Sequence, residues 1–318
     1  MKGVRLKIDY QTQEKRALRA VSRKAGCALL AVCVLQLAAS SIALLRPHLP
    51  AIRYELWLAL MVLLSSLTVL GGALVGKKLF GITLAARKTP FASFAREKHS
   101  RASLPDSLLL VVAGAALCMA GNFANLFVEQ LAGQAGIEFV GAPEQIAPQS
   151  SPALLLALLT TGLLPAVTEE LLLRGTILPP LQPFGDGFAI VCTAALFALL
   201  HQNMEQAPMA FVSGLALGWV YVRGGRLALP ILVHLWNNAA AVALMLLPEG
   251  AEMIYMFALL VLGPLCALIL YLRRPKQTKL ISELSPGSRA AHFFFGSAAM
   301  LLALGYFIVM IVLNTRVA

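Results

Sequence analysis

Residues 168–174 read Thr-Glu-Glu-Leu-Leu-Leu-Arg, and they continue the apolar run of residues 152–167 without a break. A charged side chain at the centre of a bilayer costs at least about 2.5 kcal/mol, so a polar cluster in such a run indicates function. Glu170 and Arg174 are four residues apart, which places them on one helical face where they can pair. Glu169 is rotated by about 100° from Glu170 and has no such partner within the helix. We therefore expect Glu169 to be the reactive carboxylate of this stretch.

Pro165 lies in the same helix, four residues before Glu169. Because proline has no backbone N–H, Pro165 cannot donate a hydrogen bond to the carbonyl of Thr161. We therefore expect the helix to be loosened just where the acidic residues begin.

The composition is that of a membrane protein. The chain of 318 residues is 59% hydrophobic and 13% charged, with a mean hydropathy of +0.79, whereas soluble domains carry about 25% charged residues. The net charge of +11 does not indicate a nucleic-acid partner, because the basic residues lie in short connections between apolar segments. The lipid bilayer is the partner that this pattern predicts.

The cysteines all lie in apolar runs and form no Cys-x-x-Cys pair. We interpret them as small buried hydrophobic residues, without a disulfide framework or a zinc site. The five residues are Cys27, Cys33, Cys118, Cys192 and Cys266.

The apolar runs predict an all-α fold, a polytopic membrane bundle of about nine transmembrane helices, or eight if one weak span is miscounted. The predicted spans are residues 27–45, 56–76, 108–131, 152–179, 188–203, 209–222, 227–247, 253–272 and 293–313. The glycine- and alanine-rich sixth span favours close helix packing, and Asn122 and Asn125 in the third favour an interhelical hydrogen bond. Four regions follow: a basic cytoplasmic tail (1–26), N-terminal transmembrane helices and loops (27–150), a helical core (151–247) and C-terminal transmembrane helices (248–318).

The distribution of Lys and Arg tests this arrangement. With a cytoplasmic N-terminus, the inside segments hold eight, seven, none, two and five of the 26 Lys and Arg residues. The outside loops hold only Arg46 and Arg53, since Arg316 is in the C-terminal tail and Arg174 is in the fourth helix. This asymmetry predicts a multi-pass protein with its N-terminus in the cytoplasm and its C-terminus outside. The expected location is a bacterial plasma (inner) membrane.

Two of the five histidines lie within predicted spans, His201 and His234, and Asn238 follows His234 by four residues on the same face. At a rise of about 1.5 Å per residue from the cytoplasmic end of each helix, Glu169 and His201 lie roughly 20 Å deep. By the same count His234 and Asn238 lie about 13 and 20 Å deep. Three helices thus bring Glu, His, His and Asn to a similar level, so we expect these residues to meet in one site.

Hydrolysis is the chemistry that these groups favour. A carboxylate in a low-dielectric site is a competent general base, and with an imidazole it can position and deprotonate water. A second imidazole and a side-chain amide can donate hydrogen bonds to a developing oxyanion. The alternative is a zinc site built from Glu169, His201 and His234 with an open fourth position. The sequence has no His-Glu-x-x-His helix, the commonest zinc-protease signature. We interpret Phe197 and Trp236 as packing residues.

At these residues the sequence resembles the CAAX protease and bacteriocin-processing (CPBP) family of intramembrane glutamate proteases, which are related to type II CAAX prenyl endopeptidase. The family motifs Glu-Glu-xxx-Arg, Phe-xxx-His and His-xxx-Asn stand here in family order, over about residues 151–247. They are Glu169-Glu170-Leu-Leu-Leu-Arg174, Phe197-Ala-Leu-Leu-His201 and His234-Leu-Trp-Asn-Asn238.

The resemblance implies an endopeptidase that uses no metal cofactor. The residues matching Glu169 and His201 would activate water, those matching His234 and Asn238 would stabilise the oxyanion, and Glu170 and Arg174 would support the site. The substrate would be a membrane-associated polypeptide, prenylated or a peptide precursor, cut near the cytoplasmic side. The alternative function is a non-catalytic bacteriocin-immunity or membrane scaffold protein of the same family. A third hypothesis, a proton-coupled transporter, is disfavoured by the lack of an internal repeat.

Overall fold

The computed structural model describes residues 2–49, 53–81, 101–139, 148, 150–273 and 288–317. It confirms the predicted all-α fold: apart from one short strand pair, the regular structure in these ranges is helical. The helices are α1 (Lys2–Ala43), α2 (Tyr54–Phe80), α3 (Leu104–Gln134), α4 (Ser151–Phe184), α5 (Asp186–Leu200), α6 (Ala207–Gly224), α7 (Ala228–Leu244), α8 (Ala251–Leu272), α9 (Ser288–Phe295) and α10 (Ala298–Leu313). The strands are β1 (Ile137–Phe139) and β2 (Thr315–Val317), which pair antiparallel.

The lengths and compositions of these helices confirm a polytopic membrane protein. Within the described ranges, five stretches are long and apolar enough to cross a bilayer: Glu14–His48, Leu56–Phe80, Leu104–Gln134, Ser151–Phe184 and Ala251–Leu272. Three shorter apolar helices accompany them: Asp186–Leu200, Ala228–Leu244 and Ala298–Leu313. All nine predicted spans therefore have helical counterparts, and the number that crosses the membrane stays a prediction.

Helix α4 carries the acidic pair and is irregular on both sides of it. Two π-helical turns, Leu158–Leu163 and Leu173–Ile177, flank the regular α-helical segment Leu164–Leu172. Pro165 lies at the start of that segment. Its missing N–H favours a wider turn before it, which agrees with the expected loosening of the helix. Turns of this kind re-aim the side chains that follow them, here Glu169 and Glu170.

Small residues bring the central helices close together. A Cβ atom placed on Gly214 of α6 would lie 2.8 Å from Cα of Ala194 on α5. A Cβ atom on Gly114 of α3 would lie 2.8 Å from Val220 Cγ2 on α6. Asn125 of α3 also accepts a hydrogen bond from the backbone N–H of Met209, at 2.8 Å. These contacts confirm the predicted close packing of the sixth span and the interhelical bond of Asn125.

The structure corrects three expectations about single residues and ends. Asn122 is exposed and does not share the role of Asn125. Cys27 is exposed, whereas the other four cysteines are buried as predicted. The fifth span was expected to reach Asn203 but ends at Leu200, because Gln202 adopts a left-handed conformation (φ 57°) that an α-helix does not continue through.

The last predicted span, residues 293–313, is interrupted. Helix α9 ends at Phe295 and α10 begins at Ala298. The side chain of Ser297 caps α10 by accepting a hydrogen bond from Met300 N. From α1, the Ser22 hydroxyl donates to the carbonyl of Phe294 and lies 2.7 Å from Ser297 Oγ. These hydroxyl groups satisfy backbone groups that a continuous helix would have paired internally.

One end of the bundle, hereafter the basic end, gathers the segments predicted to be cytoplasmic. Contacts there join α1 to α9, and the start of α3 to the C-terminal ends of α6 and α8. Three of them are Arg226 Nη2 to Ala102 O (3.4 Å), Arg273 Nη1 to Asp106 Oδ1 (3.4 Å) and the Arg19 guanidinium over the Phe293 ring (4.9 Å).

The opposite end gathers the segments predicted to lie outside. Strand β1 follows α3, and its partner β2 follows α10. Gln202 after α5 donates from Nε2 to Gln36 Oε1 of α1 (2.9 Å), and its carbonyl accepts from Asn314 at the end of α10 (2.9 Å). This grouping agrees with the predicted alternation of the helices. Which end faces the cytoplasm stays a prediction.

Candidate active site

The site is anchored by an ion pair within α4. Arg174 Nη1 donates to Glu170 Oε1 at 2.7 Å, and both side chains are 0% exposed. The pairing predicted from the four-residue spacing is therefore confirmed. Two buried charges are stable in such a place only when they are paired and hydrogen-bonded.

Arg174 also ties α4 to its neighbours. Its Nη2 donates to the carbonyl of Gly214 at 2.7 Å, and its guanidinium lies 5.1 Å from the centre of the Phe197 ring. The close approach of α6 at Gly214 is possible because this residue has no side chain to meet Ala194. One arginine thus connects the acidic helix to both α5 and α6.

His234 of α7 lies between the two carboxylates of α4. Its Nδ1 is 3.2 Å from Glu170 Oε1, and its Nε2 is 3.9 Å from Glu169 Oε2. Glu170 is ionised in the pair with Arg174, so its oxygen accepts and His234 Nδ1 carries a hydrogen. Among the described residues, Oε2 of Glu169 has no hydrogen-bond partner although it is buried. Glu169 therefore has a free acceptor beside the outer nitrogen of His234.

His201 is the C-terminal cap of α5, and its orientation is set by the backbone. Its Nδ1 lies 2.9 Å from the carbonyl oxygen of Phe197. A carbonyl can only accept, so Nδ1 carries the hydrogen and the neutral ring has its lone pair on Nε2. This is the protonation pattern of a base.

Phe197 separates the two histidines. Its ring packs edge-on against His201, with centroids 5.0 Å apart, and against His234, with centroids 5.6 Å apart. The interpretation of Phe197 as a packing residue holds, and the groups that it packs are the predicted catalytic ones. Trp236 instead lies at the exposed side of α7, where its Nε1 donates to Tyr255 Oη at 3.0 Å.

Asn238 binds to the interrupted part of α4. Its Nδ2 donates to the carbonyl oxygen of Thr161 at 3.1 Å. In a regular α-helix the backbone N–H of residue 165 would donate to this carbonyl, but Pro165 has no N–H. The proline therefore frees an acceptor, and that acceptor orients the asparagine on the neighbouring helix.

A small cavity of about 40 Å³ lies among these helices, and His201, His234 and Asn238 all line it. Glu169 does not line the cavity, but its Oε2 lies 3.9 Å from Nε2 of the lining residue His234. Asn237, the residue before Asn238, lines the cavity as well, but it is Asn238 that donates to the Thr161 carbonyl. The remaining lining residues are Cys118, Phe197, Met209, Ala210, Ser213 and Leu217.

Several of these residues carried no signal in the sequence. Cys118 and Ser213 lie in ordinary apolar helices, and neither is part of a sequence motif with a recognisable spacing. The Gly-Ala composition around Ser213 indicated close packing but not a place in the site. Met209 lies in the first turn of α6, where only the tertiary fold brings it beside His201.

The zinc alternative requires at least three ligands that converge. In the described part of the chain, no three His, Cys, Asp or Glu side chains are arranged to hold a metal ion. Glu169 and His234 approach each other, and His201 is held at a distance from His234 by the Phe197 ring. The arrangement suits carboxylate–imidazole chemistry better than a three-ligand set.

Comparison with known proteins agrees with this geometry. A search of curated proteins and a search of solved structures each found no match. Residues 151–240 match the family model described as type II CAAX prenyl endopeptidase Rce1-like. The matched segment contains all three motifs and therefore every predicted catalytic residue. The family description suggests an intramembrane protease of CAAX type. Residues 151–240 of the chain are thus similar to the Rce1-like type II CAAX prenyl endopeptidase family.

Proposed function

We propose that this protein is an intramembrane endopeptidase that hydrolyses a peptide bond of a membrane-associated polypeptide. The observation that supports it best is the carboxylate–imidazole pair of Glu169 and His234, 3.9 Å apart, beside a cavity that His201 and Asn238 also line. Acyl transfer to water needs a base, donors for an oxyanion and room for water.

Water is activated by Glu169 and His201. The cavity of about 40 Å³ has room for water, since one molecule needs only about 10–15 Å³. Within the cavity, the lone pair on His201 Nε2 is an acceptor for a proton of this water. Glu169 does not line the cavity, and we propose that it reaches the water from beside His234, where its Oε2 has no hydrogen-bond partner among the described residues. The water oxygen attacks the carbonyl carbon as its proton passes to one of these acceptors. The same proton is then delivered to the leaving amine when the C–N bond breaks.

The oxyanion is stabilised by His234 and Asn238. Because Nδ1 of His234 donates to Glu170, a donor on Nε2 requires the doubly protonated ring. One amide hydrogen of Asn238 is used by Thr161. The second hydrogen is left for the oxyanion.

Glu170 and Arg174 are positioning residues in this scheme. Glu170 orients His234 through Nδ1, and Arg174 holds Glu170 and the α6 backbone. The substrate is proposed to be a prenylated protein or a peptide precursor, and the site is proposed to lie in a bacterial plasma membrane with the N-terminus in the cytoplasm. No step of the scheme uses a metal or another cofactor.

The test compares polypeptide termini in membranes of cells that express the wild type or Glu169→Ala at matched levels. We expect terminal peptides that appear with the wild type and are absent with Glu169→Ala. Glu252→Ala is the matched control, because Glu252 is an exposed carboxylate in the first turn of α8. It should retain the wild-type termini. Identical termini for wild type and Glu169→Ala, with cellular function retained, would contradict proteolysis and support a binding or immunity role.

A further inference from the structure

Helices α1 and α2 approach closely at two glycines of α2, and these contacts fix which residues lie side by side. A Cβ atom placed on Gly72 would lie 2.8 Å from the carbonyl oxygen of Ala28 on α1, and one on Gly76 would lie 3.1 Å from Ala28 Cβ. Because the two helices run in opposite directions, residues before Ala28 face residues after Gly76. Lys24 and Phe80 are such a pair, and the Lys24 ammonium lies 5.5 Å from the centre of the Phe80 ring.

Basic residues of both helices lie at the level of this contact. We call them the α1–α2 cluster, and they are Arg23, Lys24, Lys77 and Lys78. Arg23 and Lys24 are neighbours on α1, whereas Lys77 and Lys78 belong to the last turn of α2. The side chains of Arg23, Lys24 and Lys78 are exposed, and that of Lys77 is partly exposed. Their charges are therefore open to a partner outside the helix bundle.

The acidic residues of the same two helices lie far from the α1–α2 cluster. They are Asp9 and Glu14 on α1 and Glu55 on α2. Glu14 precedes Lys24 by ten residues, which places it about 15 Å away along the helix. Asp9 comes still earlier in α1, and Glu55 is in the first turn of α2, at the other end from the cluster. The positive charges of the cluster are therefore not balanced by a carboxylate of α1 or α2 at the same level.

The length of α2 places the α1–α2 cluster at the depth of lipid headgroups. The apolar stretch Leu56–Phe80 has 25 residues, so at 1.5 Å per residue it is about 37 Å long. The hydrocarbon core of a bilayer is only about 30 Å thick. The last turn of this stretch, which carries Lys77 and Lys78, therefore reaches the headgroup region. Lys and Arg side chains at this depth attract the phosphates of anionic lipids.

We propose that the α1–α2 cluster binds the headgroup of one anionic phospholipid in the leaflet at the basic end. Its ammonium and guanidinium groups donate charge-assisted hydrogen bonds to the phosphodiester oxygens. The contact with the Phe80 ring restrains Lys24 at the helix interface. The acyl chains lie along exposed apolar residues of the same two helices, such as Val34 of α1 and Leu74 of α2. This lipid site does not depend on the proteolytic function.

Native mass spectrometry of the full chain, released from detergent micelles, measures the affinity for the first bound lipid molecule. The probes are phosphatidylglycerol and phosphatidylcholine with identical acyl chains, so that they differ in the net charge of the headgroup. We expect the wild type to bind phosphatidylglycerol at least about tenfold more tightly. Inorganic phosphate in large excess should not displace the bound lipid, because it lacks the acyl chains that the apolar helix surface contacts.

Single substitutions locate the site. Lys24→Gln and Lys77→Gln should each weaken the binding of phosphatidylglycerol about fivefold, and the double variant about 25-fold. Binding of phosphatidylcholine should not change, which also shows that the variants remain folded. Arg226→Gln is the matched control, because Arg226 is an exposed cation at the basic end but follows α6, and it should have no effect. Equal weakening by Arg226→Gln, equal affinity for the two lipids, or displacement by phosphate would each overturn the proposal.

Discussion

The substitution Arg174→Ala tests how the site is held together. It removes the 2.7 Å bonds to Glu170 and to the Gly214 carbonyl, and the contact with the Phe197 ring. Glu170 would remain as a fully buried carboxylate, with His234 as its remaining partner among the described residues. Removing one partner of a buried ion pair costs about 3–5 kcal/mol. We expect the free energy of unfolding to fall by this amount.

The double variant Glu170→Leu with Arg174→Leu removes both charges together. Because an apolar pair of similar volume is often as stable as a buried ion pair, most of the lost stability should return. Proteolysis should not return, since His234 loses the acceptor for Nδ1 and with it its orientation. Stability and activity are thereby separated in one pair of variants.

The measurement is a denaturant titration in lipid–detergent micelles, with terminal-peptide analysis of the same variants in cells. Arg273→Ala is the matched control, because Arg273 pairs with Asp106 at 3.4 Å but is 57% exposed. Exposed pairs contribute only about 0–1 kcal/mol. The reasoning is refuted if Arg174→Ala costs no more than Arg273→Ala, or if the double variant is no more stable than the single one.

Three further outcomes are expected. Gly214→Ala should lower the free energy of unfolding by about 1–3 kcal/mol, because its Cβ atom would lie 2.8 Å from Cα of Ala194. Gly187→Ala is the control and should have no such effect, because a Cβ atom there would meet open space. Equal losses of stability in the two variants would contradict the packing argument. Residue 202 has a left-handed backbone conformation, with φ 57°. Gln202→Val should therefore destabilise the protein by at least about 1–2 kcal/mol, and Gln202→Gly by less. Thermal unfolding of both variants measures the difference. Chelators should leave Glu169-dependent termini unchanged, and their loss with rescue by zinc would refute the metal-free scheme.

The sequence predicted the helices because the bilayer imposes a strong rule on composition. Apolar runs of sufficient length must be helical when no water is present to satisfy the backbone. The same rule makes intramembrane charges rare, which is why Glu169, His201 and His234 stand out from the apolar residues around them. The errors, such as the exposed Cys27 and the break before Ala298, lie where contact with another helix decides the local outcome. Ser22, from the far end of the chain, supports that break.

By itself, the sequence determined that the chain is a helical membrane protein and that Glu170 pairs with Arg174, and it predicted that a few polar groups lie at a similar depth. Periodicity and hydropathy are local properties, and these conclusions need nothing more. Only the tertiary structure decided that His234 lies between two carboxylates, that Phe197 separates the histidines, and that His201, His234 and Asn238 line one cavity. Those facts depend on the rotation and translation of one helix against another, which close packing of many side chains sets jointly and no single stretch of sequence encodes.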